Sequence, residues 1–251
     1  MSQDTVRVPF PVHEVPVPDQ SGLPRLEPVG REQDRPAALV LVLHGGRAHS
    51  RESGERKRLT YRRMVPFARA LSRRGPAVHL LRYRYRGWNA PARDALRDAQ
   101  WALGELAGRF PGVPVVLVGH SMGGRAALGA AAGSNVVAVC ALAPWLDGSD
   151  PVHQLDGRTV LIAHGDRERW TDPGESFRYA VRAKERGVRI CRFDVPGAGH
   201  FMIARSRVWH DLVTRFVLGV LHIEPEDPAI ANALRQPPPN GLRAVLDGAT
   251  T

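Results

Sequence analysis

Along this chain, continuous apolar runs of strand length alternate with stretches in which apolar residues recur every three or four positions. Ala38-Leu39-Val40-Leu41-Val42-Leu43 is the first strong run. Ala77 to Leu81, Val115 to Val118, Val136 to Leu142, Thr159 to Ala163 and Arg189 to Val195 follow it. Runs that lack polar alternation suit strands covered on both faces, as in a parallel sheet. Between them, Met64, Phe67 and Leu71 mark one helix, ending near Gly75-Pro76. Ala92, Ala95, Leu96, Ala99, Ala102, Leu103 and Leu106 mark a second, closed by Pro111-Gly112. Arg125 to Ala132, rich in small residues, suits a helix lying close against the sheet. A further helix opens near Pro173, where proline fits the first turn, and presents Phe177, Ala180 and Val181. The last buries Val208, Trp209, Leu212, Val213, Phe216, Val217 and Val220. Strand and helix in alternation, with right-handed crossovers, predict an α/β fold: a mostly parallel central sheet with helices on both faces. Ligands are then expected beyond the carboxyl ends of the strands.

The flanks read differently. Residues 1–36 are rich in proline and polar residues. Their short alternating pieces, Val6 to Val8 and Val12 to Val17, suit edge strands only, because proline cannot donate to a central ladder. Residues 37–221, which carry the alternating strands and helices, form the expected main domain. Residues 222–251, with Pro225, Pro228 and Pro237 to Pro239 and few large apolar side chains, read as a mobile tail in which Ala229 to Leu234 has room for one turn of helix.

Composition narrows the functional classes. The chain has 251 residues and 43% hydrophobic residues, enough for one sizeable core. No apolar run approaches the roughly 20 residues of a membrane span, and Met1-Ser2-Gln3-Asp4 lacks the charged and hydrophobic regions of a signal peptide, so a soluble cytoplasmic protein without membrane association is expected. The net charge of +10 raises the question of nucleic acid, but the cations are scattered. Lys57 and Lys184 are the only lysines. The densest basic stretch, Arg47 to Arg63, also carries Glu52 and Glu55 and no aromatic platform before Tyr61, so no nucleic-acid partner is expected. Cys140 and Cys191 fall inside predicted strands and read as buried small hydrophobes.

The chemistry gathers around Gly119-His120-Ser121-Met122-Gly123. This Gly-x-Ser-x-Gly follows an apolar strand and opens a helix, the context in which a sharp turn holds the serine in a strained conformation with its hydroxyl exposed. The helix behind it presents unpaired N–H groups and a positive dipole end. Other chemistry-bearing residues lie at other strand ends: His44-Gly45-Gly46, His164-Gly165-Asp166-Arg167-Glu168, and Gly199-His200. No pair of histidines or cysteines has ligand spacing on one element, so neither a metal nor a cofactor is expected.

With these four motifs the sequence resembles the α/β-hydrolase family over residues about 37 to 221, with nucleophile, acid and histidine in the order that fold uses. The resemblance implies hydrolysis through an acyl-enzyme. Ser121 would be the nucleophile and His200 the base that takes and returns its proton. A carboxylate must orient the imidazole, and the family spacing of four residues after the histidine of a His-Gly pair points to Glu168, with Asp166 as the alternative; Asp172 looks like a helix cap. The oxyanion would be held by the backbone N–H groups of Met122 and Gly46. His44, His120 and His164 read as positioning residues.

Only about fifteen residues separate the strand ending at Pro144 from the next, too few for a separate cap domain. The site is therefore expected to be open, walled by Trp88, Trp145, Leu146, Trp170 and the polar loop 47–60. An open site favours small or medium acyl esters, thioesters or lactones, as in the carboxylesterase and dienelactone-hydrolase-like branches. Arg82, Arg84 and Arg86 alternate and so share one side, either as an ion-paired, solvated face or as an attractor for an anionic substrate. Two other functions fit the same residues: a binding protein that kept the fold without the chemistry, and an acyltransferase or peptidase using the same serine and histidine.

Overall fold

The structure, a computed structural model, describes residues 22–55 and 58–245. The pieces Val6 to Val8 and Val12 to Val17 lie outside the described residues. Eight strands form one sheet in the order β1-β3-β2-β4-β5-β6-β7-β8. They are β1 (Arg25–Val29), β2 (Leu39–Leu43), β3 (Ala77–Arg82), β4 (Val115–His120), β5 (Val136–Leu142), β6 (Thr159–Gly165), β7 (Arg189–Val195) and β8 (Ala244–Val245). β1 alone is antiparallel, paired to β3. It carries Pro28 at the sheet edge, where a missing N–H costs no ladder bond.

Helices cover both faces. On one lie α2 (Asp94–Arg109), α3 (Met122–Gly129) and α4 (Pro173–Glu185), packed on Leu39, Leu41, Leu43 and Leu117. On the other lie α1 (Leu59–Ser72), α5 (Ser206–Val220) and α6 (Pro228–Arg235), packed on Val40, Val42, Val116 and Val118. Successive strand residues point to opposite faces, so an unbroken apolar run feeds both cores at once. Between β5 and β6 there is only a 3-10 turn at His153–Leu155 and no cap domain.

The chain runs from β2 outward to β3 and then returns to the other side of β2 as β4. That reversal opens a crevice between the carboxyl ends of β2 and β4, where Leu43 is in register with Gly119. His44-Gly45-Gly46 and His120-Ser121 therefore meet at one point of the sheet edge.

The expectation of a mobile tail is corrected for residues 222–245. Asp227 caps α6 by accepting from the N–H groups of Ala229 and Ile230 at 2.9 and 3.0 Å, with Pro228 in the first turn. Ile230, Leu234 and Leu242 are buried, and β8 adds a parallel pairing to β7. Lys184 ties this stretch down by donating to the carbonyls of Leu234 and Ile190. Three well-spaced apolar anchors and a cap are enough to hold it, although the proline count suggests otherwise. Cys140 and Cys191 are free and buried in β5 and β7. Among the described residues, no helix is long and apolar enough to cross a membrane.

Candidate active site

Ser121 leaves β4 with φ 56° and ψ −120°, a conformation that a residue with a side chain adopts only when its surroundings fix it. The surroundings here are backbone. A Cβ at Gly119 would lie 2.2 Å from the Gly123 carbonyl oxygen, and one at Gly123 would lie 2.3 Å from that of Leu43. Glycines two residues before and after the serine let strand, turn and helix close to this distance. Ser121 N–H donates to the Leu142 carbonyl at 2.9 Å, and its own carbonyl accepts from Arg125 and Trp145. The hydroxyl is left facing the crevice.

His200 stands over it, with Nε2 3.1 Å from Ser121 Oγ and Nδ1 2.8 Å from Glu168 Oε2. Glu168 has no exposed side-chain surface. Burial alone would raise its pKa. The hydrogen bond from His200 and the backbone N–H groups of Trp170 and Thr171 outweigh it and carry the value down to about 2. Its Oε1 accepts from the N–H groups of Arg169, Trp170 and Thr171 at 2.8, 2.6 and 3.3 Å. An ionised carboxylate only accepts, so Nδ1 of His200 carries the proton that donates to it. Nε2 then presents a lone pair to the hydroxyl of Ser121. Asp166, the alternative acid, does not approach His200. Its Oδ1 accepts from Gly197 N–H at 2.7 Å and laces the loop carrying Glu168 to the loop carrying His200. Asp172 caps α4 by accepting from Gly174 N–H.

Three neutral histidines brace this chain. His120 donates from Nε2 to the His200 carbonyl at 2.8 Å, and burial, followed by the nearby His200, holds its pKa down to about 3. His44 donates from Nδ1 to the Gly45 carbonyl at 2.7 Å and is held by burial at about 4. His164 lies between Ser176 and Thr171, its pKa lowered to about 3 by burial and then by Arg192. Ser176 gives its hydroxyl proton to the Pro173 carbonyl, so it accepts from Nδ1–H of His164, and Nε2 accepts from Thr171.

Gly46 lies directly against the elbow, where a Cβ would sit 2.4 Å from Cε of Met122. The N–H of Met122, at the first position of α3, has no acceptor within its own helix. Both donors border a cleft of about 440 Å³ that opens over Ser121 and His200. Trp145 and Trp170 line it. Trp170 is 70% exposed and stacks near His200, with ring centroids 6.3 Å apart. Trp88 and Leu146 do not line it, which corrects two of the expected wall residues. Trp88 is buried beneath the Arg125 guanidinium, which lies 4.6 Å from its ring and 4.9 Å from that of Trp145. Asp147 and Asp150 hold Arg125 at 2.6 and 2.7 Å. Leu146 belongs to the same neighbouring hollow as Trp88. Arg82, Arg84 and Arg86 are ion-paired with Glu27, Asp98 and Glu52, and of these three only Arg86 reaches the cleft.

The polar loop 47–60 reaches the cleft through Arg47, Ala48 and Thr60, and the sequence reading did not single out Arg63 and Phe201, which complete the wall. Phe201, next to His200, could have been found as an aromatic flanking the candidate base. Arg63 comes from the first turns of α1, and no local pattern marks the end of a helix that faces a distant loop. Among the described residues, no group of three or more His, Cys, Asp or Glu side chains converges to hold a metal.

A profile described as the alpha/beta hydrolase family matches residues 39–250. The chain belongs to the alpha/beta hydrolase family. Solved structures share this hydrolase's fold at low identity. Est1E from Butyrivibrio proteoclasticus is 18% identical over 79% of this chain and 94% of its own, with a TM-score of 0.59. An alpha-beta serine hydrolase homologue from Coxiella burnetii is 15% identical over 79% and 94%, with a TM-score of 0.61. A serine hydrolase without lid from Xanthomonas campestris is 20% identical over 82% and 90%, with a TM-score of 0.58. No curated protein matches the sequence.

Proposed function

We propose that this alpha/beta hydrolase is a serine esterase that cleaves small or medium acyl esters, thioesters or lactones through an acyl-enzyme, with Ser121, His200 and Glu168 as its catalytic residues. The observation that supports this most strongly is the unbroken hydrogen-bond chain from Glu168 through His200 to Ser121 at the base of an open cleft. Ser121 Oγ attacks the acyl carbonyl carbon while His200 Nε2 takes the hydroxyl proton. Glu168 keeps Nδ1 protonated and stabilises the imidazolium that forms. The negative oxygen of the tetrahedral intermediate accepts from the N–H groups of Met122 and Gly46, each such donor being worth roughly 3 kcal/mol in the barrier. The leaving oxygen or sulfur departs with the proton from Nε2. Water then repeats the cycle on the acyl-serine, giving its proton to His200, and the free acid leaves as the serine recovers its hydrogen.

The open cleft supports small-molecule acyl substrates. Among the described residues, none forms an apolar lid of the length that would sequester a lipid chain. The test is a graded p-nitrophenyl ester series with wild type and Ser121→Ala. Turnover of the short esters is expected, with a loss on the order of 10⁵-fold or more in the variant. Equal rates in the two proteins would remove Ser121 from the mechanism.

A further inference from the structure

The described residues that line the cleft include three arginines, Arg47, Arg63 and Arg86, and no aspartate or glutamate. Their charges are not equally compensated. Arg86 donates to Glu52 at 2.9 Å, and Arg47 lies close enough to the same carboxylate to help lower its pKa. Arg63 has no salt bridge among the described residues. Its guanidinium lies over the ring of Phe201, 4.7 Å from the centroid, while burial lowers its pKa. A half-buried cation is expensive to hold unpaired, so this site favours an anion more than a solvated surface arginine does.

Two further features of the same wall point the same way. Thr60, one turn before Arg63, has a buried Oγ1 with no hydrogen-bond partner, and the buried Nε of Arg86 is likewise unpartnered. Both residues line the cleft with Arg63. The first turn of α1 holds no acidic side chain, and the side chain of its N-cap residue, Arg58, makes no capping hydrogen bond. An anion in this corner would meet a free guanidinium, an unused N–H, an unused hydroxyl and the positive end of a 14-residue helix.

The corner's place in the reaction follows from Phe201, whose ring centroid is 5.6 Å from that of His200. Arg63 is thus on the His200 side of the cleft. His200 delivers its proton to the leaving atom, so the group nearest Arg63 belongs to the leaving alcohol or thiol. We propose that Arg63 makes the cleft selective for esters whose leaving group carries a carboxylate a few bonds from the scissile oxygen. The aromatic rings of Trp170 and Phe201, 5.3 Å apart, border the same side and suit a flat leaving group. This assignment rests on the serine-esterase reading of the site, and Arg63 acts in it as a specificity residue.

The test compares 4-acetoxybenzoate with its neutral amide, 4-acetoxybenzamide, which shares the acyl group and shape. The ratio of kcat/KM for the anionic over the neutral ester is expected to exceed about tenfold in wild type, the size of one charge-assisted hydrogen bond. It should collapse toward one in Arg63→Gln, recover in part in Arg63→Lys, and persist in Arg69→Gln, which removes the same charge from the exposed side of α1. The change should appear mainly in KM. Titration calorimetry of 4-hydroxybenzoate against 4-hydroxybenzamide reads the same preference without turnover. Hydrolysis of both esters with a ratio near one, or a ratio unmoved by Arg63→Gln in a variant with wild-type melting behaviour, overturns the proposal and leaves the esterase reading standing. If neither ester is turned over, the esterase reading fails, and equal affinity for the two hydroxy compounds then overturns the Arg63 assignment independently.

Discussion

At the floor of the cleft, Ser121 sits between glycines whose missing side chains leave room only for backbone. At the wall, Trp170 is 70% exposed and held by ring contacts to His200 and Phe201. The floor is over-determined: strand register, two close backbone approaches and the Ser121 hydrogen bonds all require one geometry. The wall is assembled from α1, the turn after β6 and the loops after β2, β3, β5 and β7, and no close backbone approach fixes its exposed rings as one fixes Ser121. Reaction geometry is thus kept apart from substrate fit. Changes at the floor should cost chemistry or folding, and changes at the wall should alter which ester is preferred.

The largest test of that contrast lies at Glu168, the proposed acid. Glu168→Gln keeps the shape but cannot hold a protonated imidazole, and a fall in kcat of about 10⁴-fold is expected. Asp166→Asn, two residues away, should cost less than about tenfold because Asp166 only laces the loops. Steady-state kinetics on one short ester compares them, and equal losses would remove the distinction drawn between the two carboxylates.

Next comes the close approach at Gly123. Gly123→Ala places a methyl group against the Leu43 and His44 carbonyls and should destabilise the fold by about 3 kcal/mol, measured by urea unfolding. A stable, active Gly123→Ala protein would show that the floor is softer than its geometry implies.

Acid sharpens the contrast in another way. His44, His120 and His164 are held neutral, with pKa values of about 4, 3 and 3, below the roughly 6.5 of an unfolded chain. The unfolded state therefore binds more protons across that window, and stability falls as pH drops from about 6.5 toward 4. Glu168 adds a second loss at lower pH. Its folded value of about 2 lies below the roughly 4.3 of an unfolded chain, so the stability it contributes is complete above about 4.3 and disappears toward 2. Chemical denaturation from pH 7 to 4 should follow this slope, and His120→Gln should flatten it. The smallest effect belongs to Trp170→Ala. Stability should change by less than about 0.5 kcal/mol, while KM for aryl esters rises several-fold.

What could be read from the sequence follows the same division. The elbow lies within five consecutive residues, Gly119 to Gly123, and its neighbours His44 to Gly46 are marked by the strand before them. Glu168 was favoured by a spacing rule, and nothing local distinguished it from Asp166. Only the crossing of the β6 and β7 loops shows that one carboxylate reaches His200 while the other is spent on Gly197. The wall was only partly legible. Trp88 and Trp145 both follow strand ends, yet Trp88 is buried under Arg125 and Trp145 stays in the cleft, an outcome that depends on Arg125 being held by Asp147 and Asp150 over a tryptophan distant in the chain. Arg63 is more than fifty residues from Ser121 in the chain, and α1 brings it in through its packing on the sheet and on α5. In the C-terminal stretch the helical turn at Ala229 to Leu234 was legible, but the burial of Ile230, Leu234 and Leu242 against the sheet was hidden by the proline count.

The central claim is that Ser121 carries a covalent acyl intermediate, and an active-site fluorophosphonate tests it most directly. Peptide mapping by mass spectrometry of the labelled protein should find one adduct, on Ser121, with labelling strongly slowed in Glu168→Gln. A folded wild-type protein that takes up no label, or takes it up elsewhere with Ser121 unmodified, would contradict the account.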